Sequence, residues 1–250
     1  MPAVFVHGNP ETSAIWADLL AALRGREAGD LVTLSPPGFG APVPAGFEAT
    51  RLGYRDWLIG ELEALGGGVD LVGHDWGGLH VYGVLAERPD LIRSWAADCA
   101  GILHPEYVWH EFATAWQTPE LGETAITEMF GLPEEETLAL LAGIGLPEAA
   151  VRALAPAMTA EMGACVLSLY RSAAQPEMAQ LGERFGTTQR RPGLVLIPSE
   201  DPYPGTVEMC TSVAGRLGAD TFALEGQGHW WMFESAAIAA DALVAHWAKV

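Results

Sequence analysis

The sequence has few basic residues and no long apolar run. Its 250 residues include 13 Lys+Arg against 32 Asp+Glu, which gives a formal net charge of −19. Such a chain repels phosphate backbones and anionic membrane surfaces, so nucleic acid and membranes are not expected partners. No apolar stretch approaches the ~20 residues of a membrane span. The charge also favours a neutral substrate over an anionic one.

Cysteine is scarce as well. Cys99, Cys165 and Cys210 are widely spaced and form no C-x-x-C pair, which predicts buried thiols in a reducing compartment. The apolar start at residues 3–6 is too short for a signal peptide and lacks a basic flank. We therefore expect a cytoplasmic protein.

Motifs for metals and dinucleotides are missing too. The seven histidines show no H-E-x-x-H spacing, and the glycines form no G-x-G-x-x-G. No metal and no cofactor are therefore expected.

The most informative segment is the stretch 69–78, which reads V-D-L-V-G-H-D-W-G-G. A short apolar run meets two glycines, Gly73 and Gly77, which bracket Asp75, and a helical pattern begins at Trp76. A strand, a sharp turn and a helix with one reactive side chain at the turn form the nucleophile elbow G-x-S-x-G, here with Asp in place of Ser. A carboxylate is already ionised at pH 7 and attacks without a base. His74, beside it, is interpreted as a packing residue.

Short apolar runs alternate with helical patterns over residues 1–100 and again over residues 189–250, which predicts a core with a parallel sheet of about six strands. Residues 101–188 contain several helical patterns and no convincing strand, which predicts an inserted helical cap; ordinary sheet-covering helices are the alternative. The predicted strands cover residues 4–6, 30–34, 69–72, 91–97, 194–197 and 220–224. The predicted helices cover residues 13–23, 54–65, 76–87, 105–117, 122–130, 133–141, 147–154, 159–174, 206–217 and 236–248.

Three polar side chains follow three of the predicted strands: Asp75, Asp201 and His229. Sites in open parallel sheets form outside the carboxyl ends of the strands. The chain order of nucleophile, acid and histidine is that of α/β-hydrolase enzymes. Asp98 also ends a strand and is the alternative acid; Asp201 is preferred because its segment has the full strand-plus-acid form.

These segments resemble the α/β-hydrolase superfamily, and within it the branch of haloalkane dehalogenases and epoxide hydrolases. The resemblance covers essentially the whole chain and implies the α/β-hydrolase fold with a helical cap. It rests on four segments: His7-Gly8-Asn9-Pro10, Gly73-His74-Asp75-Trp76-Gly77-Gly78, Pro198-Ser199-Glu200-Asp201 and Gly226-Gln227-Gly228-His229.

The chemistry expected of an Asp nucleophile is displacement at a saturated carbon. Asp75 would form an alkyl-enzyme ester, and water activated by His229 would open it while Asp201 holds the imidazole. Backbone N–H groups of Asn9 and Trp76 would hold the tetrahedral anion. The expected reactants are a small neutral organic substrate and water.

Two substrate classes fit this scheme. The resemblance implies that the Asn9 and Trp76 side chains bind a halide, and Asn9 discriminates because epoxide hydrolases typically carry an aromatic residue at that position. An epoxide needs an acid, and the segment 169–171 resembles the cap segment that bears one of the two tyrosines of epoxide hydrolases, here Tyr170. Phe112 stands near the expected place of the other.

Other cap residues leave further choices open. Trp109 and His110 either line the pocket or have a structural role. Haloalkane dehalogenation is the first choice, epoxide hydrolysis the second, and a non-catalytic ligand sensor on a hydrolase fold the third. The sequence leaves a homodimer open.

Overall fold

A computed structural model describes residues 1–186 and 189–250. Its centre is one six-stranded sheet in the order β2-β1-β3-β4-β5-β6, and every neighbouring pair is parallel. The expected parallel sheet of about six strands and the α/β-hydrolase fold are confirmed. The strands are β1 (Ala3–Val6), β2 (Leu31–Leu34), β3 (Val69–Gly73), β4 (Ile92–Ala97), β5 (Gly193–Pro198) and β6 (Asp220–Leu224).

Burial of the strands follows their place in the sheet. The central strands β1, β3 and β5 are buried at every position, as expected for parallel strands covered on both faces. The edge strands β2 and β6 are largely half-buried or exposed. The carboxyl ends of the central strands therefore meet inside the protein, where side chains are shielded from water.

Helices cover both faces of the sheet. They are α1 (Ala17–Arg24), α2 (Arg51–Ala64), α3 (Trp76–Glu87), α10 (Val207–Leu217), α11 (Trp231–Glu234) and α12 (Ala236–Trp247). Helix α1 packs against α12, and α2 packs against α3. Helix α3 is buried from Trp76 to Leu85, which fixes the start of the helix firmly in the core.

Two predicted helix starts were wrong, both because of a capping threonine. Thr12 caps the first helical segment, and a 3-10 turn at Ser13–Trp16 precedes α1, which begins at Ala17 rather than at residue 13. Helix α2 begins before the predicted Tyr54 because the Thr50 side chain accepts a hydrogen bond from Gly53 N. A side-chain oxygen at this position satisfies a backbone donor that the helix leaves free.

Six helices lie between β4 and β5, and no strand occurs in the described residues 101–186. They are α4 (Glu111–Gln117), α5 (Leu121–Met129), α6 (Glu134–Gly143), α7 (Glu148–Leu154), α8 (Ala160–Ser172) and α9 (Glu177–Arg184). Helices α4, α5 and α8 pack together, whereas α9 packs on α3 and on the turn after β4. The division into core and cap stays a prediction, and its boundary at residue 188 lies outside the described residues.

The first cap helix is shorter than predicted. It starts at Glu111 rather than at residue 105, because the His110 side chain caps it and accepts a hydrogen bond from Ala113 N. Helix α9 was not predicted. Within the described part of the chain, no single helix is long and apolar enough to cross a membrane, although the bent pair Glu148–Ala157 and Ala160–Ser172 passes that test jointly.

Candidate active site

Asp75 occupies the sharp turn between β3 and α3. Its backbone has φ 50° and ψ −121°, a conformation that L-residues rarely adopt. The turn needs glycines on both sides: a Cβ on Gly77 would lie 2.0 Å from Val6 O, and one on Gly73 would lie 2.6 Å from Gly77 O. The two glycines therefore allow the backbone to approach β1 and leave the Asp75 carboxylate at the end of the strand.

The Asp75 carboxylate is held by backbone groups and is almost fully buried. Asn9 N donates to Asp75 Oδ2 at 3.0 Å, and the side chain of Asp98 accepts from Asp75 N at 2.8 Å. Asp75 is 7% exposed, and this burial raises the pKa of its carboxyl to about 6, although the positive charge of His229 opposes the shift. The group therefore remains mostly ionised at neutral pH.

His229 lies between Asp201, the predicted acid, and Asp75, the predicted nucleophile. Its Nδ1 is 2.8 Å from Asp201 Oδ2, and its Nε2 is 4.0 Å from Asp75 Oδ1. The other Asp201 oxygen accepts from Tyr203 N at 3.0 Å. Burial disfavours the imidazolium, but the Asp201 carboxylate opposes this effect, and the pKa of His229 is raised. The three side chains lie together as the sequence predicted, and their catalytic roles stay predictions.

Asp98, the alternative acid, belongs to a different set of contacts. Its Oδ2 accepts from Trp231 Nε1 at 2.8 Å and lies 2.5 Å from His74 Nδ1, while its Oδ1 accepts from Asp75 N. It makes no hydrogen bond to His229 among the contacts of the described residues. Asp98 thus stabilises the sharp turn at Asp75 by accepting a hydrogen bond from its backbone N–H.

Glu11, His74 and Asp98 form a buried charge cluster that the sequence analysis did not identify. Glu11 is 1% exposed and accepts from Gly8 N at 3.0 Å and Trp230 Nε1 at 2.7 Å. Its Oε1 lies 3.2 Å from His74 Nε2. Burial alone would lower the pKa of His74, but Asp98 and Glu11 together raise it well above its ordinary value.

The carboxylates of this charge cluster respond in the opposite direction. Burial alone would raise the pKa of Glu11, yet the positive His74 leaves the pKa below its ordinary value, and the same holds for Asp98. An imidazolium therefore lies between two carboxylates. Its ring centroid is 4.6 Å from that of His229. His74 is more than the packing residue that the sequence suggested.

A cavity of about 50 Å³ opens above Asp75. Both the nitrogen and the oxygen of the Asn9 side-chain amide are buried and make no hydrogen bond within the described part of the chain. Buried polar groups are almost always paired, so an unpaired amide facing a cavity marks a place for a ligand. The lining residues are Asn9, Pro10, Asp75, His110, Phe112, Trp116, Met129, Ile144, Tyr170, Tyr203, His229 and Trp230.

Of the predicted halide donors, only Asn9 reaches this cavity directly. Trp76 is not among its described lining residues; it stacks on Trp109 with the ring centroids 6.2 Å apart. Tyr170 packs against both indoles. Burial raises the pKa of Tyr170 well above its ordinary value and negative Asp75 adds to this, while the nearby side-chain donors of Trp76 and Asn9 act against it. Trp76 is therefore in contact with the cavity-lining Tyr170.

Of the other predicted cap contacts, some line the cavity and one is not among its described lining residues. His110 and Phe112 line the cavity, whereas Trp109 lies behind it. Burial lowers the pKa of His110 to about 4, and positive His229 contributes to the shift. Because His110 Nδ1 accepts from Ala113 N, the neutral ring carries its proton on Nε2.

The sequence profile of the alpha/beta hydrolase family matches residues 3–242. This chain belongs to the alpha/beta hydrolase family. A search of curated protein sequences found no match. Family membership agrees with the elbow, the acid and the histidine at the ends of β3, β5 and β6, and it makes this protein a hydrolase.

Solved structures share the fold of this hydrolase at low sequence identity. The haloalkane dehalogenase DatA from Agrobacterium tumefaciens C58 has a TM-score of 0.75 and 20% identity, covering 98% of this chain and 89% of that one. The haloalkane dehalogenase DbeA from Bradyrhizobium elkani USDA94 has a TM-score of 0.71 and 20% identity, and the match covers 99% of this chain and 91% of that one. E-2-(acetamidomethylene)succinate hydrolase has a TM-score of 0.71 and 18% identity, and the match covers 98% of this chain and 91% of that one.

Two groups of side chains in this hydrolase bring possible metal ligands together. Glu11, His74 and His229, and likewise Cys99, Asp201 and His229, have ligand atoms within 4.8 Å of one another among the described residues. Both groups contain His229, so a metal ion at either would occupy one ring nitrogen of the predicted base. All three cysteines are free and buried, as predicted.

Sequence reasoning missed the residues that reach the site from the surrounding loops. Glu11 follows directly after the H-G-N-P motif, and Tyr203 stands two residues after the predicted site residue Asp201. Proximity to a motif was the one available signal. Their contacts join segments that are far apart in the chain, and the spacing of apolar residues gives no information about such contacts.

Proposed function

We propose that this hydrolase cleaves the carbon–halogen bond of a small neutral organic molecule through an alkyl ester on Asp75. The observation that carries the proposal is the Asn9 amide, which is buried beside Asp75, makes no hydrogen bond of normal geometry among the described residues, and has the Tyr170 hydroxyl as a polar neighbour. A departing halide would accept a hydrogen bond from Asn9 Nδ2. Two of the structures that share the fold are named as haloalkane dehalogenases, which supports the choice.

The first step is displacement at carbon. Asp75 Oδ2 accepts a hydrogen bond from Asn9 N, which leaves Oδ1, on the side of His229, as the attacking oxygen. A bond forms between Oδ1 and the substrate carbon while the carbon–halogen bond breaks. The halide leaves with the bonding electrons toward Asn9 Nδ2 and the Tyr170 hydroxyl. No base takes part, because the carboxylate is already ionised.

The second step is hydrolysis of the ester. His229 Nε2 accepts a proton from a water molecule, and the resulting hydroxide attacks Asp75 Cγ. The negative charge develops on Oδ2, where the Asn9 backbone N–H already donates, and the first backbone N–H of α3 is free to add a second donor. Collapse transfers the proton from His229 to the leaving alkoxide, which gives the alcohol and leaves Asp75 as a carboxylic acid. Loss of that proton to solvent restores the Asp75 carboxylate and completes the cycle.

The two steps are coupled through charge. The negative charge of Asp75 is one of the interactions that raise the pKa of His229. Formation of the ester removes that charge, so the pKa of the imidazole falls after the first step. The histidine therefore becomes available as a base when the second step requires one.

Trapping the ester tests this chemistry. In His229→Ala incubated with 1-bromobutane, we expect a butyl adduct on the peptide that contains Asp75, detected by mass spectrometry, because the base that activates water is gone. The wild type should release bromide continuously, and Asp75→Asn should give neither bromide nor adduct. An unmodified Asp75 peptide in His229→Ala together with no bromide from the wild type would refute the proposal.

Epoxide hydrolysis is the second candidate, favoured by the Tyr170 hydroxyl in the cavity with Asp75. A phenol there can protonate the oxygen of an opening epoxide, whereas a halide needs only a hydrogen bond. We expect Tyr170→Phe to lower diol formation from styrene oxide by at least about 100-fold if the phenol is the general acid, and bromide release much less. Tyr54→Phe is the matched control, since its hydroxyl donates to Pro37 O.

Failure of both reactions has its own meaning. If neither bromide nor diol forms, while Asp75→Asn still binds small organic ligands, the non-catalytic sensor becomes the better assignment. Binding measured by calorimetry for both proteins separates this outcome from a protein that is simply misfolded.

A further inference from the structure

A second cavity adjoins the one above Asp75. The inner cavity, described above, has a volume of about 50 Å³, and an outer cavity of about 210 Å³ lies next to it. Four residues line both cavities: Ile144, Tyr203, His229 and Trp230. These side chains therefore form a shared wall between the two spaces.

The outer cavity lies between cap and core. Gly145 and Pro147 reach it from the loop between α6 and α7, and Pro202, Gly228 and Glu234 reach it from the core. The inner cavity holds only a few water-sized molecules. The outer cavity is about four times as large, so a substrate with more than a few heavy atoms has room there, across the shared wall.

Two aromatic side chains of that wall lie against His229. The Trp230 and Tyr203 rings lie 5.0 Å and 4.9 Å from the His229 ring, and both residues are partly buried. Trp230 Nε1 donates to Glu11 Oε1 at 2.7 Å, which ties the indole to the buried charge cluster. A hydrogen bond to an ionised acceptor is stronger than one between neutral groups, so this contact holds the indole in the wall.

We propose that the outer cavity is the entrance and first binding site for substrate, and that Trp230, held by Glu11, is the gate to Asp75. Opening the gate breaks the bond between Trp230 and Glu11, while His74 remains beside the Glu11 carboxylate. The exposed Glu234 carboxylate at this entrance, in a chain with a net charge of −19, favours neutral or cationic organic molecules over anions. The proposal rests on the proposed function only in placing the reacting group at Asp75.

Chemical access to His229 tests the gate without any turnover. Diethyl pyrocarbonate modifies accessible imidazoles, and the rate at His229, read by peptide mass spectrometry, is divided by the rate at the partly buried His104. We expect Trp230→Phe, which lacks the N–H, and Trp230→Ala to raise this ratio by roughly tenfold, the scale of losing one hydrogen bond to a charged group. Trp247→Phe, which is among the described residues lining neither cavity, should leave it unchanged.

A second experiment keeps Trp230 in place and closes the entrance instead. The native cysteines are buried, so Glu234→Cys offers one exposed thiol for a bulky maleimide. Labelling should slow both His229 modification and bromide release by roughly tenfold or more relative to the same variant unlabelled, since a blocked route limits encounter. Labelled Glu136→Cys, modified on the exposed side of α6, should show no protection.

Each outcome supports or overturns the proposed gate or the proposed entrance. Equal His229 ratios in the wild type and both Trp230 variants, with unchanged circular dichroism, would overturn the gate. Loss of protection in labelled Glu234→Cys would overturn the entrance. If His229 access responds as expected but no substrate is turned over, the gate stands and the proposed function fails.

Discussion

Asp75 is subject to two opposing demands at the scale of a single residue. Burial raises the pKa of its carboxyl to about 6, which favours the neutral form, while the proposed displacement at carbon requires the anion. Burial also removes water from the carboxylate, which makes it a stronger nucleophile. The site therefore operates close to the acid limit of its own nucleophile.

This pKa predicts the pH dependence of the first step. We expect kcat/KM for 1-bromobutane to fall about tenfold per pH unit below the pKa of about 6, because a protonated carboxyl does not displace halide. In His229→Ala the midpoint for ester formation should move upward, since the positive histidine lowers the pKa of Asp75. A profile that stays flat through this midpoint in both proteins would contradict the assignment.

At the scale of elements, the site depends on a close approach between the loop after β1 and the elbow after β3. A Cβ on Gly8 would lie 2.2 Å from Asp75 Oδ2, so any side chain there would displace either the carboxylate or the loop. The same loop supplies the backbone N–H of Asn9. Gly8 thus fixes the distance between nucleophile and backbone donor.

Gly8→Ala should therefore damage catalysis more than stability. We expect kcat to fall by about 100-fold or more, the usual loss for one oxyanion donor. The matched control is Gly60→Ala in α2, where no described atom lies within 4 Å of the new Cβ. That change should raise the free energy of unfolding by about 0.5–1 kcal/mol and leave kcat unaltered. Wild-type kcat in a folded Gly8→Ala protein would refute the argument.

Local signals explain which elements the sequence predicted well. Helix α3 was predicted at its observed bounds because glycines and Pro89 mark its limits. The start of α4 was missed because it depends on the cap that His110 makes. Predicted Asp201 meets His229, but the predicted halide donor Trp76 packs against Tyr170 and is not among the described cavity-lining residues, a placement decided by packing between α3 and α8.

At the scale of the whole molecule, the charge cluster joins segments that are far apart in the chain. Glu11 follows β1, His74 follows β3, and Asp98 follows β4; Trp230 and Trp231 bring in the region after β6. Removing one partner from such a cluster leaves a buried charge without compensation. The cluster should therefore contribute to stability as well as to the geometry of the elbow.

Glu11→Ala should lower the free energy of unfolding by about 3–5 kcal/mol, the scale of breaking a buried ion pair. Urea denaturation followed by tryptophan fluorescence measures the change. The control is Glu148→Ala, which removes an ion pair with Arg152 whose side chains are 80% and 74% exposed, and should change stability little. Equal effects of the two substitutions would show that the cluster does not stabilise the fold.

In the proposed mechanism, the nucleophile and the base follow strands that differ in their number of neighbours. Asp75 follows β3, which has a neighbour on each side, whereas His229 follows β6, an edge strand paired with β5 alone. Edge elements open more readily than central ones. If mild denaturing conditions opened only the β6 edge of the sheet, Asp75 would keep its position while His229 lost its own. In the proposed mechanism, a haloalkane would then become an irreversible inactivator, consuming one enzyme molecule for each halide released.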